Sequence, residues 1–168
     1  MQNIIFVHGL ESSGHGFKSR FLKTLFPDIL TPDFKRSNEY IPMYELLDYR
    51  MAELNAILLE KKPWVIIASS FGGLMAAIFV LENPNRVCQL VLLAPFIVSR
   101  KLKPRMYKPI DVPVIVYHGK NDKVVNCTSA RERAQHFFTN LEYNIVDDDH
   151  KLKSTVKSIN WQKIIQNS

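Results

Sequence analysis

The sequence predicts an α/β fold: a mostly parallel sheet between two layers of helices, a three-layer αβα sandwich. Two features predict it. Short continuous apolar runs recur along the chain, each suited to a strand buried on both faces. Stretches with helical spacing separate them, and strands joined by helical crossovers lie parallel. The chain has 168 residues, 46% hydrophobic and 23% charged. One domain spanning 1–168 can therefore bury a core without disulfide or metal staples.

Asn3 to Val7 (NIIFV) is the first strand. Gly14, Gly16 and the neighbouring serines mark a loop after it. Phe17 to Leu25 places Phe21, Leu22 and Leu25 on one helical face, and Pro27 ends that helix. Asp28 to Thr31 is a weak second strand. Tyr44 to Glu60 is an amphipathic helix with Leu47, Met51, Leu54 and Leu58 on one stripe; Lys61, Lys62 and Pro63 stop it. Trp64 to Ala68 (WVIIA) is a third strand. The helix expected over Phe71 to Leu81 is small and apolar on all sides, which suits burial. Cys88 to Leu93 and Pro113 to His118 are the fourth and fifth strands. Ser129 to Phe138 is a helix, Leu141 to Val146 the sixth strand, and Val156 to Ile165 the closing helix. In open sheets of this kind, ligands sit at the carboxyl ends of the strands.

The net charge is +6 and the pI about 9.3, which favours an anionic substrate or acidic partner. The densest basic cluster, Arg100, Lys101, Lys103, Arg105 and Lys108, reads as a solvated loop. No aromatic-basic pattern points to nucleic acid, and no apolar stretch approaches the length of a membrane span. The run Ile4 to Val7 is too short for a signal-peptide core. Cys88 and Cys127 form no C-x-x-C pair, so neither a disulfide framework nor a zinc site is expected. These features predict a cytoplasmic protein with no membrane or nucleic-acid partner and no metal or other cofactor.

The third strand runs directly into Ala68-Ser69-Ser70-Phe71-Gly72-Gly73, and a helix follows. A nucleophile on such a strand-to-helix turn takes a strained backbone conformation, and its neighbours two before and two after must be small. That rule chooses between the serines. Ser70 is flanked by Ala68 and Gly72; Ser69 would be flanked by Ile67 and Phe71, which clash. A serine nucleophile needs a base, and the base an orienting acid. Asp122 follows the fifth strand, with Asn121 and Asp147 as competitors; Asp111 precedes that strand and lies at its wrong end. His150 lies after the sixth strand and follows both Ser70 and Asp122. His118 ends the fifth strand, His8 ends the first, His15 lies in a Gly-rich loop, and His136 falls within a helix.

Nucleophile, acid and histidine in that order on successive strand ends resemble the α/β-hydrolase superfamily. His8-Gly9-Leu10-Glu11-Ser12-Ser13 together with Ser69-Ser70-Phe71-Gly72-Gly73 resembles, more narrowly, the small bacterial esterases of the YqiA type. Ala68 replaces the commoner glycine. The two strands that usually precede the one bearing His8-Gly9 have no counterpart, so the pattern implies a sheet of about six strands. The resemblance assigns an oxyanion hole to the backbone N–H groups of Leu10 and Phe71, with His8 holding the loop.

The segment Pro95 to Val112 occupies the place of a lid in larger relatives but is too short for a lid domain. The site should be open, with Phe96, Ile97, Val124 and Phe71 as apolar walls and the Arg100 to Lys108 cluster as a candidate rim. The expected activity is hydrolysis of a small-molecule ester or thioester through an acyl-enzyme on Ser70, with His150 as base and Asp122 orienting it. Two alternatives remain: a small serine peptidase or amidase, and a catalytically silent protein-binding module on the same fold.

Overall fold

The computed structural model describes residues 3–166. Five strands, β1 (Asn3–Val7), β2 (Trp64–Ser69), β3 (Val87–Leu93), β4 (Val114–Gly119) and β5 (Leu141–Val146), form a parallel sheet in the order β1-β2-β3-β4-β5. Alternate side chains point to opposite faces, and each face meets its own helical layer. Val7, Ile66, Ala68, Leu90, Leu92 and Val116 pack towards α2 (Met43–Leu58), α3 (Phe71–Glu82) and α4 (Cys127–Phe137). Phe6, Val65, Ile67, Val91 and Leu93 pack towards α1 (Phe17–Leu25), α5 (Lys153–Ser158) and α6 (Trp161–Gln166). The result is the three-layer αβα sandwich anticipated above.

β2 is buried along its whole length, and α3 from Phe71 to Leu81. Both are apolar on every side because both have neighbours on every side. β5, at the sheet edge, keeps a half-exposed pattern with Glu142 and Ile145 outward.

The weak second strand expected at Asp28 to Thr31 shrinks to a single bridge, which leaves five strands rather than about six. Leu30 pairs with the outer edge of β1, its N–H donating to Ile4 O at 2.9 Å and its carbonyl accepting from Phe6 N at 2.8 Å. Pro32 has no N–H to extend that ladder. The bridge still fixes the chain path. The polypeptide leaves β1 outward to Leu30, then returns to lay β2 on the other side. The strand order therefore reverses between β1 and β2, and a crevice opens at their carboxyl ends.

Two helices differ from their sequence-based ranges for capping reasons. The expected helix over Val156 to Ile165 divides into α5 and α6, because Asn160 Oδ1 accepts from Lys163 N at 3.1 Å and starts a new helix. α4 begins two residues early because Asn126 caps it, accepting from Ser129 N at 2.9 Å.

Residues 94–113, between β3 and β4, carry one short 3-10 turn at Pro104–Met106 and no lid domain. Arg133 of α4 donates to the carbonyls of Ser99 and Leu102 and pins this segment down. No helix among the described residues is long and apolar enough to cross a membrane.

Candidate active site

Ser70 follows the last residue of β2 at φ 53°, ψ −117°, a positive-φ conformation rare for a residue with a side chain. Its neighbours show why it can be held there. A Cβ on Gly72 would stand 2.3 Å from Val7 O and 2.5 Å from His8 O. Only glycine lets the start of α3 pass that close to the end of β1. Ser70 N donates to Leu93 O at 3.0 Å, and Phe96 N donates to Ser70 O at 2.9 Å. The turn is thus stitched to the end of β3 and to the loop after it, and strain of this kind marks functional turns. Both serines border the same cavity, but Ser69 is buried whereas Ser70 is partly exposed.

Across the crevice, Ser70 Oγ lies 2.9 Å from His150 Nε2, and His150 Nδ1 lies 2.7 Å from Asp122 Oδ2. The structure therefore brings together the three residues chosen from the sequence and separates their competitors. Asn121 Nδ2 instead donates to Asp147 Oδ1 at 3.1 Å, and Asp147 pairs with Lys120 on the exterior. The loops bearing Asp122 and His150 meet because β4 ends in Gly119. A Cβ there would stand 2.3 Å from Asp148 O. Asn121 N then donates to the same carbonyl at 3.1 Å.

The Asp122 side chain is fully buried and accepts four hydrogen bonds. Oδ1 takes Val124 N and Val125 N, both at 2.8 Å; Oδ2 takes His150 Nδ1–H and His118 Nε2–H. Burial pushes its pKa up, but the hydrogen bonds from Val125, His150 and Val124 outweigh it and hold the carboxyl below its ordinary range. It is an anion committed to its donors.

Sequence reasoning left His118 without a role. Its Nε2 faces two acceptors, Asp122 Oδ2 at 3.0 Å and Val125 O at 3.1 Å, so it must carry a proton. Burial lowers its pKa more than Asp122 raises it, which keeps the ring neutral and its Nδ1 an acceptor for the Tyr143 hydroxyl at 2.7 Å. A line of contacts thus runs Tyr143, His118, Asp122, His150, Ser70. Its signal in the sequence was His118 four residues before Asp122, but nothing there pointed to Tyr143.

Arg50 was also missed. It is fully buried in α2, with Nε donating to Lys35 O at 2.8 Å and the two terminal nitrogens to Gly9 O and Leu10 O, each at 3.2 Å. The guanidinium lies 5.5 Å from the Phe71 ring centroid. His8 holds the same loop from the other side. Phe34 N donates to its Nε2 at 3.2 Å, so its Nδ1–H donates to Gly9 O at 2.8 Å. Burial, ahead of every other influence, lowers the His8 pKa and keeps it neutral. Among the described residues, the Leu10 and Phe71 N–H groups donate to no protein acceptor. Both line the cavity with Ser70.

That cavity, about 730 Å³, is lined by Phe71, Phe96 and Val124 as anticipated, and also by Leu10, Phe17, Met43, Val125 and three lysines, Lys18, Lys151 and Lys153. Ile97 is not a wall; it is fully buried in the core. None of the Arg100 to Lys108 cluster lines the cavity, and Lys101 lies over the Tyr44 ring at 5.5 Å. Chemically, the arrangement offers a hydroxyl with a proton acceptor, an acceptor held by a carboxylate, and two free N–H donors beside them.

A family model described as "Alpha/beta hydrolase domain" matches residues 1–167. No curated protein matches the chain. Among solved structures, it resembles a protein of the alpha/beta superfamily from Xanthomonas campestris pv. campestris, 23% identical over 100% of both chains, with a TM-score of 0.79. It also resembles the mouse alpha/beta hydrolase domain-containing protein 10, 18% identical over 98% of this chain and 90% of that one, with a TM-score of 0.77. The carboxylesterase of Bacillus cereus is 19% identical over 97% of this chain and 88% of that one, with a TM-score of 0.71.

Proposed function

Because the chain belongs to the alpha/beta hydrolase domain family, we propose that it is a serine hydrolase that cleaves small carboxylic esters or thioesters through an acyl-enzyme on Ser70. The single observation that carries this reading is the continuous contact from Ser70 Oγ through His150 to the buried Asp122, at 2.9 and 2.7 Å. The carboxylesterase among its structural relatives makes ester cleavage the first activity to test.

His150 Nε2 takes the Ser70 proton as Oγ attacks the carbonyl carbon. The negative oxygen of the tetrahedral intermediate accepts from the Leu10 and Phe71 N–H groups; losing one such donor typically costs about 10²–10³ in turnover. His150 then gives its proton to the leaving oxygen or sulfur as the carbon–heteroatom bond breaks. Water, deprotonated by the same nitrogen, releases the acid and restores Ser70. Asp122 keeps Nδ1 protonated and stabilises the transient imidazolium. Phe96 and Val124 form apolar walls for the substrate. With no lid over the cavity, the reading favours short acyl groups. The narrower YqiA-type kinship, action as one domain over 1–168, and a cytoplasmic setting belong to the same proposal.

The test is labelling by a fluorophosphonate probe, comparing wild type with Ser70→Ala. Labelling lost in the variant supports the reading. A folded wild-type protein that takes no label refutes it and favours the silent binding module.

A further inference from the structure

The cavity beside Ser70 is unevenly charged. Its lining holds three cations, Lys18, Lys151 and Lys153, and one acid, Glu11. None of these four forms an ion pair among the described residues. Lys18 stands out because its side chain is partly out of water. Burial pushes its ammonium down to about 8, although Asp149 and Asp148 oppose the shift. Those two carboxylates are already used by their own loop. Asp148 accepts from Thr155 N, Thr155 Oγ1 and Asp149 N, and Asp149 accepts from Lys151 N. A half-buried ammonium with carboxylates nearby but no direct ion pair carries a desolvation cost that a ligand anion in contact with it would reduce.

The cations are also on one side. Lys151 follows His150 directly, and Lys153 begins α5 just beyond. Lys18 feels Asp149, Asp148 and Lys153, all of that same segment. Phe71 and Phe96, by contrast, come from the nucleophile turn and the loop after β3. A leaving group must sit against His150 Nε2 to receive its proton. Resting on the serine-hydrolase reading above, we infer that the preferred substrates carry an anionic group, carboxylate or phosphate, on the leaving alcohol or thiol, with Lys18 as its principal contact and Lys151 and Lys153 beside it.

Four esters test this. Para-acetoxybenzoate and para-acetoxybenzamide differ only by a charge on the leaving group. Para-nitrophenyl glutarate and para-nitrophenyl pentanoate differ by a charge on the acyl side. Wild type should favour para-acetoxybenzoate over the amide by about tenfold in kcat/KM, the scale of one charge-assisted contact. That ratio should collapse in Lys18→Met and return in Lys18→Arg, and the acyl pair should show no such ratio. A ratio near one in wild type, or one untouched by Lys18→Met, overturns the inference. A preference confined to the acyl pair overturns the placement on the leaving group. A phosphorylated leaving group, tested as the acetyl ester of a hydroxyphenyl phosphate, separates the two anion classes. Calorimetric binding of the benzoate and the benzamide to Ser70→Ala, with and without Lys18→Met, provides a readout independent of turnover. Lys18-dependent preference there, with no turnover in wild type, sinks the hydrolase reading and keeps the anion site. No preference sinks the anion site alone.

Discussion

Ser70 and Asp122 stand at the same end of one sheet, yet different forces hold them. Around Ser70 the backbone does the positioning. β2 and α3 are buried on all sides, Gly72 passes beneath the β1 carbonyls, and main-chain hydrogen bonds tie the turn to β3 and the following loop. Around Asp122 side chains do it. Half of its four hydrogen bonds come from histidine rings, His118 near the end of β4 and His150 on the loop after the half-exposed edge strand β5. Steric placement tolerates no added atom but needs no partner. Placement by hydrogen bonds tolerates small shifts but depends on each donor being present and in the right protonation state.

The sharpest way to break the second half is Asp122→Asn. The amide keeps the volume but removes the charge that holds the His150 tautomer, and kcat should fall by about 10³–10⁴. The urea midpoint tests folding in the same sample. A loss below tenfold would show that Asp122 does not orient the base. The first half breaks at Gly72→Ala. One methyl against two backbone carbonyls should cost about 3 kcal/mol of stability, read from chemical denaturation, although alanine in a helix is normally favourable by about 1 kcal/mol. An unchanged midpoint would mean that β1 and α3 can part freely.

His118→Phe removes one of the two donors to Asp122 Oδ2 and leaves His150 in place. We expect kcat to fall about tenfold, or about 1.4 kcal/mol, with KM nearly unchanged, because His118 lies outside the cavity. A change in KM alone would count against a positioning role. The smallest effect is on stability against pH. His8 and His118 are both held below the ordinary value of 6.5 in the folded protein. Below that value the unfolded chain binds more protons, so stability falls as pH drops and recovers as pH rises through the window just under 6.5. Denaturation midpoints that are equal on both sides of pH 6.5 would contradict this.

The same contrast explains what the sequence disclosed. β1, α1 and β5 match their anticipated ranges because apolar period and turn residues are local signals. Ser70 was separable from Ser69 because steric crowding is written in neighbouring positions. Asp122 and His150 followed from order along the chain, although the resemblance to a known family reinforced them. The Tyr143–His118 contact spans 25 residues and has no local trace. Arg50 left one. It shares the buried stripe of α2 with Leu47 and Leu54, where a basic residue is out of place and calls for buried acceptors. Asn160, inside an otherwise helical stretch, was likewise a cap read as a helix residue.

The double grip on Gly9 O has a consequence for energetics. A peptide unit is planar, so its carbonyl and the N–H of the next residue point in opposite directions as one rigid dipole. His8 and Arg50, by holding the Gly9 carbonyl towards the interior, set the direction of the Leu10 N–H towards the cavity. In the proposed acyl transfer a negative charge appears there, and water would have to turn to meet it. This dipole is already turned, and the work of aligning it was done when the chain folded.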